Sequence, residues 1–339
     1  MPSISPQCRY PWWRLQFPES PYRRWYDFSP SYRAATARGG LRHLPEATNA
    51  TSYCQFICGE GGVIDTWLGL GAGGFRLDVA DELPDDFIEA IRAAVKRHGE
   101  DKYLLGEVWE DATTKFSYGA RRTYLLGKGL DAVMNYPFRS AILAFLRGGD
   151  ARVCADAILR ICENYPAPAL HTLMNFVSTH DTERAITALA GESCEGKDRY
   201  WQSGRRLSAE QYEHGRRLVC LAYAMLFTLP GIPSIYYGDE IGMQGYKDPF
   251  NRAYFDWNST EARIIPVLRS LAALRQRCKA LASGRFAVSY AQDGVLCYER
   301  LSGHSKAAVC INRTASDVQA TLLGKGLTVA PYSFEVRSE

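Results

Sequence analysis

Between residues 57 and 281 the sequence alternates short β-like runs with longer helical ones, and this alternation constrains the fold more than any other feature. VIDTWLGLGA (63–72) predicts a short helix ending at glycine, with the strand GFRLDVA after it. DELPDDFIEAIRAAVKRHG (81–99) has helical spacing, with acids in its first turn and Lys96, Arg97 and His98 in its last. KYLLGEVWE (102–110) and DAVMNYPF (131–138) predict strands, the second followed by one apolar-periodic helix, SAILAFLRGGDARVCADAILRICENY. HTLMNFVSTHDTE (171–183) predicts a strand and then a loop, and AEQYEHGRRLVCLAYAMLFTLPG (209–231) a long helix. PSIYYGDE (233–240) predicts a strand and TEARIIPVLRSLAALRQRCKAL (260–281) the last helix. Strand and helix in series mean a parallel sheet with crossover helices. The parallel strands are expected at about 74–80, 102–108, 131–136, 172–178 and 233–237.

The two ends of the chain read differently. From 284 onward RFAVSYA, VLCYERL, KAAVCINR and LTVAPYSFEVRS are short alternating segments divided by DG, SG and GKG turns, which predicts an antiparallel β domain over 283–339. Residues 1–55 show no clear period and hold seven arginines and no lysine, so 1–56 is expected to be irregular. A formal net charge of +3 is too mild to argue for nucleic acid or a membrane surface. No run has the length of a signal peptide or a membrane span, which predicts a cytoplasmic location. Ten cysteines lack any zinc-type pairing of Cys-x-x-Cys elements, and most stand singly in apolar segments, so buried free thiols are expected.

Chemistry concentrates where the predicted strands end. In GFRLDVADELP, Phe75, Leu77 and Val79 alternate with Arg76 and Asp78, which places the arginine and the aspartate on one side of an extended chain. A carboxylate facing a protein interior is costly unless paired or put to use. Glu107, His180–Asp181 and Asp239–Glu240 end three further strands, and in a (β/α)8 barrel the site is built at those C-terminal ends. GxxxxGK[ST] does not occur, and the one GxGxxG match, GLGAGG (69–74), runs from the end of a predicted helix into a strand instead of from a strand into a helix, so phosphate binding has no support, and no set of metal-spaced histidines is present. Acids in this setting point to glycoside chemistry, in which two carboxyl groups flank the scissile bond.

GFRLDVADELP, LLGEVWE, FVSTHDTER and PSIYYGDEIGMQG resemble the signature regions of the α-amylase family of glycoside hydrolases, closest to its neopullulanase and cyclomaltodextrinase-like branch, over about 57–257. The resemblance implies a (β/α)8 TIM barrel, here only its strands four to eight in 57–282, followed by the β domain. It implies that Asp78 is the nucleophile, that Arg76 keeps it ionised, that Glu107 is the general acid/base, and that Asp181 is the third carboxylate with His180 beside it. An arginine beside a carboxylate favours the charged form, as a nucleophile needs, whereas an apolar setting between Gly106 and Val108–Trp109 favours the neutral form, as an acid needs. Glu82, with Asp81, lies where the family contacts the acceptor sugar, although a helix N-cap is an equal reading. Trp109 is a candidate stacking platform, with core packing as the alternative; Tyr236 and Tyr237 are expected to pack the last strand. His43, His98, His171, His214 and His304 are read as surface or satisfied core residues.

The earlier barrel strands and the family's DxxxNH-type motif are not found, so the resemblance reads the chain as incomplete at its N-terminus, with only ESPYRRWYDFSPSY (19–32) like the region before the third helix. A wall missing from the barrel predicts weak or absent activity for this length of chain. The implied activity is retaining hydrolysis of α-1,4-linked glucans: maltodextrins, cyclodextrins and pullulan. Two further readings stay open, a non-catalytic remnant that binds oligosaccharide or pairs with another subunit, and an α-glucan transglycosylase. No cofactor is implied; structural calcium occurs in the family, and no ligand set for it is identifiable here. The expected partner is an α-glucan oligosaccharide, with neither nucleic acid nor membrane, and a dimer is compatible with the family.

Overall fold

The computed structural model describes residues 22–26, 50–117 and 119–339. These fall into two compact units, each described by itself: the first ends at Glu107 and takes in 116–131, and the second comprises 108–115 and 132–339. Of the segment expected to be irregular, 22–26 holds a single 3-10 turn, Arg23–Trp25. A helix already begins at Thr51, which corrects the expectation that no periodic structure starts before 57. The remaining part of 1–56, including most of ESPYRRWYDFSPSY, lies outside the described residues.

In the first unit α1 (Thr51–Cys58) and α2 (Val63–Gly69) lead into strand β1 (Gly74–Leu77). Helix α3 (Asp85–Lys96) then crosses to strand β2 (Tyr103–Gly106), which pairs parallel with β1. Phe87, Ile88, Ile91, Ala94 and Val95 form the buried face of α3, the 3.6-residue stripe visible in the sequence. The two strands approach closely at their start, where a Cβ on Gly74 would run into the Tyr103 carbonyl. Asp131 ties helix to strand. Its carboxylate takes Arg92 at 2.7 Å, Lys96 at 2.9 Å and the Leu104 N–H at 2.8 Å. Burial opposes its ionisation, but these partners outweigh burial and hold its pKa low. A short hairpin, β3 (Phe116–Ser117) with β4 (Ala120–Arg121), completes this unit.

In the second unit β5 (Ala132–Val133) leads to α4 (Tyr136–Leu146) and α5 (Ala151–Asn164). The single helix expected there is broken, because Gly148 adopts φ 115° and Asp150 starts a new helix by accepting from the Arg152 N–H. After α6 (Ala167–Thr172), strand β6 (Met174–Asn175) bridges Met134 in parallel fashion. Helices α7 (Ala185–Ala190), α8 (Arg199–Gly204) and α9 (Ala209–Thr228) follow, and then strand β7 (Ile232–Pro233), parallel to β6. Ser208 and Gln211 form a capping box at the start of α9, whose second half, Leu218–Thr228, is buried all round. All five expected parallel strands have a counterpart, though each is shorter than predicted.

Past α10 (Ile264–Arg277) and α11 (Lys279–Ser283) the chain turns to antiparallel structure. Strands β8 (Arg285–Gln292), β9 (Val295–Ser302) and β10 (Ser305–Asn312) form a sheet, and β11 (Val318–Leu322) pairs with β12 (Lys325–Val329) as a hairpin. Strand β13 (Ser333–Ser338) returns to the far side of β10. The single segment LTVAPYSFEVRS is thus two strands, and β11 was not foreseen. Strand β9 is buried on both faces. Val295 and Cys297 pack under the hairpin with Leu322 and Val329, while the other face meets α9, with Tyr298 bonded to the Thr228 hydroxyl at 2.6 Å and Arg300 donating to the Thr228 carbonyl at 2.7 Å.

Candidate active site

Arg76, Asp78 and Glu107 come together at the C-terminal ends of β1 and β2. Arg76 Nη1 meets Asp78 Oδ1 at 2.8 Å and its Nη2 meets Glu107 Oε2 at 2.9 Å. One guanidinium therefore serves two carboxylates, where the sequence suggested a partner for Asp78 alone. The Asp78 side chain is 39% exposed and that of Glu107 4%, so one acid faces outward and the other lies inside. Gly106 helps to set Glu107 inside: a Cβ there would collide with Leu130.

The strand stops at Leu77 because the chain turns sharply just after Asp78. Val79 lies in the left-handed region at φ 45°, a conformation that a β-branched residue rarely takes and that costs about 1–2 kcal/mol. The turn is held from Glu107, whose Oε2 accepts the Val79 N–H at 2.9 Å and whose carbonyl accepts the Ala80 N–H at 3.0 Å. Backbone strain next to a carboxylate pair is characteristic of functional sites. Beyond the turn, Asp81 and Glu82 belong to a 3-10 helix, Ala80–Glu82, and Pro84 occupies the N-cap position of α3, which corrects the N-cap reading. Buried Arg122 fixes this segment by donating to the Asp81 carbonyl at 2.8 Å, the Leu83 carbonyl at 2.5 Å and the Asp85 carboxylate at 2.9 Å.

In the second unit His180 and Asp181 sit side by side, His180 Nε2 3.0 Å from Asp181 Oδ2. Arg252 reaches the other carboxylate oxygen at 3.2 Å and donates to the His180 carbonyl at 2.8 Å. Fully buried Asn251 secures the loop by donating from Nδ2 to the carbonyls of Thr179, His180 and Thr182. Trp109 stacks on Tyr136 with ring centroids 4.4 Å apart, as the packing reading has it, and stays half exposed.

The strand-end acid Asp239 behaves otherwise. It lies in a 3-10 helix, Asp239–Ile241, six residues past β7, and is fully buried. Its Oδ2 accepts from Ser178 and, at 3.1 Å, from Tyr223. Arg184 Nη1 stands 3.9 Å from Oδ1, and burial pushes the carboxyl pKa up to about 6. Reading it as site chemistry is thereby corrected: Asp239 is a structural node. Tyr236 and Tyr237 flank Arg184, its guanidinium 4.9 and 4.8 Å from their rings, instead of packing a strand. Asn251 and Arg252 went unnoticed in the sequence, whereas Val79 and Arg184 lay within motifs already singled out, GFRLDVADELP and FVSTHDTER.

The profile of the α-amylase catalytic domain matches residues 58–266. The cyclomaltodextrinase of Geobacillus thermopakistaniensis is 33% identical over 247 residues, covering 71% of this chain and 37% of that protein. The amylopullulanase of Thermoanaerobacterium saccharolyticum is 29% identical over 89% of this chain, which spans 25% of its length. Among solved structures, the cyclic α-maltosyl-(1→6)-maltose hydrolase of Arthrobacter globiformis superposes with a TM-score of 0.79 at 25% identity, covering 96% of this chain and 70% of that one. These likenesses support a TIM barrel followed by a C-terminal β domain. With a profile match over more than half its length, the chain belongs to the α-amylase family.

Proposed function

We propose that the chain is a retaining glycoside hydrolase of α-1,4-linked glucans, with Asp78 as nucleophile, Glu107 as general acid/base and Asp181 as the carboxylate that holds sugar hydroxyls. The observation that carries the reading is the Arg76 bridge between Asp78 and Glu107. The guanidinium is a rigid planar fork, and two carboxylates on its two terminal nitrogens are compatible with the retaining separation of roughly 5–5.5 Å.

In the first step Glu107 gives its proton to the glycosidic oxygen while an Asp78 oxygen attacks the anomeric carbon, so that the C–O bond to the leaving sugar breaks and a glycosyl ester forms. In the second step Glu107 takes a proton from water, which attacks the same carbon and frees Asp78. Oε2 of Glu107 accepts from Val79 and faces Arg76, so the transferred proton belongs on Oε1. This chemistry needs no cofactor. Glu82 and Trp109 are assigned to sugar contacts, and the cytoplasmic location belongs to the same proposal.

Reducing-sugar release from maltohexaose and β-cyclodextrin tests the reading. At most weak turnover by the full chain is expected, and what there is should be lost in both Asp78→Asn and Glu107→Gln; turnover unchanged in either variant would overturn the reading. Running the products with and without added maltose separates hydrolysis from transfer to sugar.

A further inference from the structure

We propose that Cys297 and Cys310 form a reversible cross-strand disulfide, with a hydroperoxide as the oxidant, making the β-rich tail a redox-sensitive site. The register carries the inference. Cys297 on β9 stands directly opposite Cys310 on β10. Just past the end of this ladder the Arg313 N–H donates to the Gly294 carbonyl at 3.0 Å, which marks a hydrogen-bonded pair. Such pairs alternate with non-hydrogen-bonded ones. Counting inward, Asn312–Val295 is non-hydrogen-bonded, Ile311–Leu296 hydrogen-bonded, and Cys310–Cys297 non-hydrogen-bonded. At such a position the Cα atoms are ~4.5 Å apart, inside the ~4.4–6.8 Å span of disulfides.

The side chains agree with the register. The two Sγ atoms lie 2.9 Å apart, both point under the β11–β12 hairpin, and both are buried among Val295, Ala308, Leu322 and Val329. Their mutual hydrogen bond stabilises a thiolate within the pair, holding the Cys297 thiol below its usual range and lifting Cys310 above it. Cys154 and Cys220, on α5 and α9, are the contrast. Burial alone leads the upward shift of each, Cys154 to about 12, so both stay protonated.

The step balances with one molecule of hydrogen peroxide as the hydroperoxide. The Cys297 thiolate attacks a peroxide oxygen, the O–O bond breaks, hydroxide leaves and takes up a proton as water, and Cys297 becomes a sulfenic acid. Cys310 gives up its proton and attacks that sulfur, the S–S bond forms, and a second water departs. Two thiols have then passed two electrons and two protons to the oxidant. The bond closes the loop between two strands and removes freedom from the unfolded chain, so the oxidised protein melts at higher temperature.

The test treats the full chain with hydrogen peroxide or with dithiothreitol, alkylates free thiols in denaturant and maps tryptic peptides. Cleavage at Arg300 and Lys306 separates the two cysteines, so a bond between them is directly readable. The expected map shows the Cys297 and Cys310 peptides joined after peroxide, separated by dithiothreitol, with Cys154 and Cys220 alkylated throughout. The melting temperature should rise by several degrees on oxidation in the wild type and stay unchanged in Cys310→Ala. If that variant does not fold, the wild-type map decides. Recovery of both cysteines as alkylated thiols after peroxide, or joined to other partners, would overturn the proposal.

Discussion

Two aspartates that end predicted strands, Asp78 and Asp239, look alike in the sequence and differ in the structure, each with its own arginine. Arg76 and Asp78 meet at 2.8 Å with side chains 29% and 39% exposed, and the same guanidinium reaches Glu107. Arg184 and Asp239 are wholly buried, 3.9 Å apart, and Asp239 leans on Ser178 and Tyr223 instead. The first pair keeps a carboxylate accessible beside a second one, an arrangement able to act on a bound sugar. The second spends its charges on structure, in a setting where replacing both partners often costs little and losing one costs much. Accessibility, not the presence of charge at a strand end, separates the two settings.

The largest effect that would sharpen this contrast concerns Asp78. Asp78→Asn should lower turnover of maltohexaose about 10⁴-fold or more, the scale on which loss of a nucleophile is felt. Its melting temperature should hardly change, because partly exposed ion pairs contribute about 1 kcal/mol at most. A variant that unfolds yet loses little specific activity would break the comparison.

Next comes the buried pair. Arg184→Met leaves Asp239 without its cation and should destabilise the protein by about 3–5 kcal/mol in chemical denaturation. Adding Asp239→Asn to that variant should restore part of the loss. If the double variant is no better than the single one, the two side chains do not act as a pair.

The pH dependence follows from the same group. The folded pKa of Asp239, about 6, lies above the ordinary 3.8 because burial disfavours the charge. A raised carboxyl pKa contributes stability that is complete below about 3.8 and is lost as pH rises through about 6. The stability of wild type minus that of Asp239→Asn should therefore increase by about 2 kcal/mol from about pH 7 down to about pH 4. A flat difference across that window would contradict the burial argument.

The smallest effect belongs to the loop at Asp181. Arg252 is 44% exposed, so Arg252→Ala should cost less than about 1 kcal/mol of stability. It should raise KM for maltohexaose more than it lowers kcat, since Arg252 orients Asp181 and His180. A change in kcat alone would move Arg252 closer to the chemistry than its contacts with Asp181 and the His180 carbonyl place it.

The sequence disclosed element types better than their ends. Period and turn chemistry reveal β1, α3, β2, α9 and the antiparallel tail, because each has an apolar face of regular spacing. The break at Gly148 was overrun because the apolar stripe resumes in phase after it, and β11 hid in a run with little alternation. Of the candidate residues, motif and strand-end position singled out Arg76, Asp78 and Glu107 in the first unit and His180 and Asp181 in the second. What escaped were supports that no period announces: the left-handed turn at Val79, the three carbonyls gathered by Asn251, and the reach of Arg122 back to Asp81. These depend on contacts between residues far apart in the chain. Asp239 shows the opposite error, since burial, which decides its role, is set by the packing of α9 and not by its own neighbours.

The central claim is that Asp78 carries the sugar and Glu107 the proton. The most direct measurement incubates Glu107→Gln with α-maltotriosyl fluoride, whose leaving group needs no acid, and maps the trapped chain by tandem mass spectrometry. Trypsin releases Leu77–Arg92, which holds Asp78. The account predicts a glycosyl mass on that peptide, fragmenting to Asp78, and none on it in Asp78→Asn. A label on Asp181 or Glu82, or no label and no fluoride release, would contradict it.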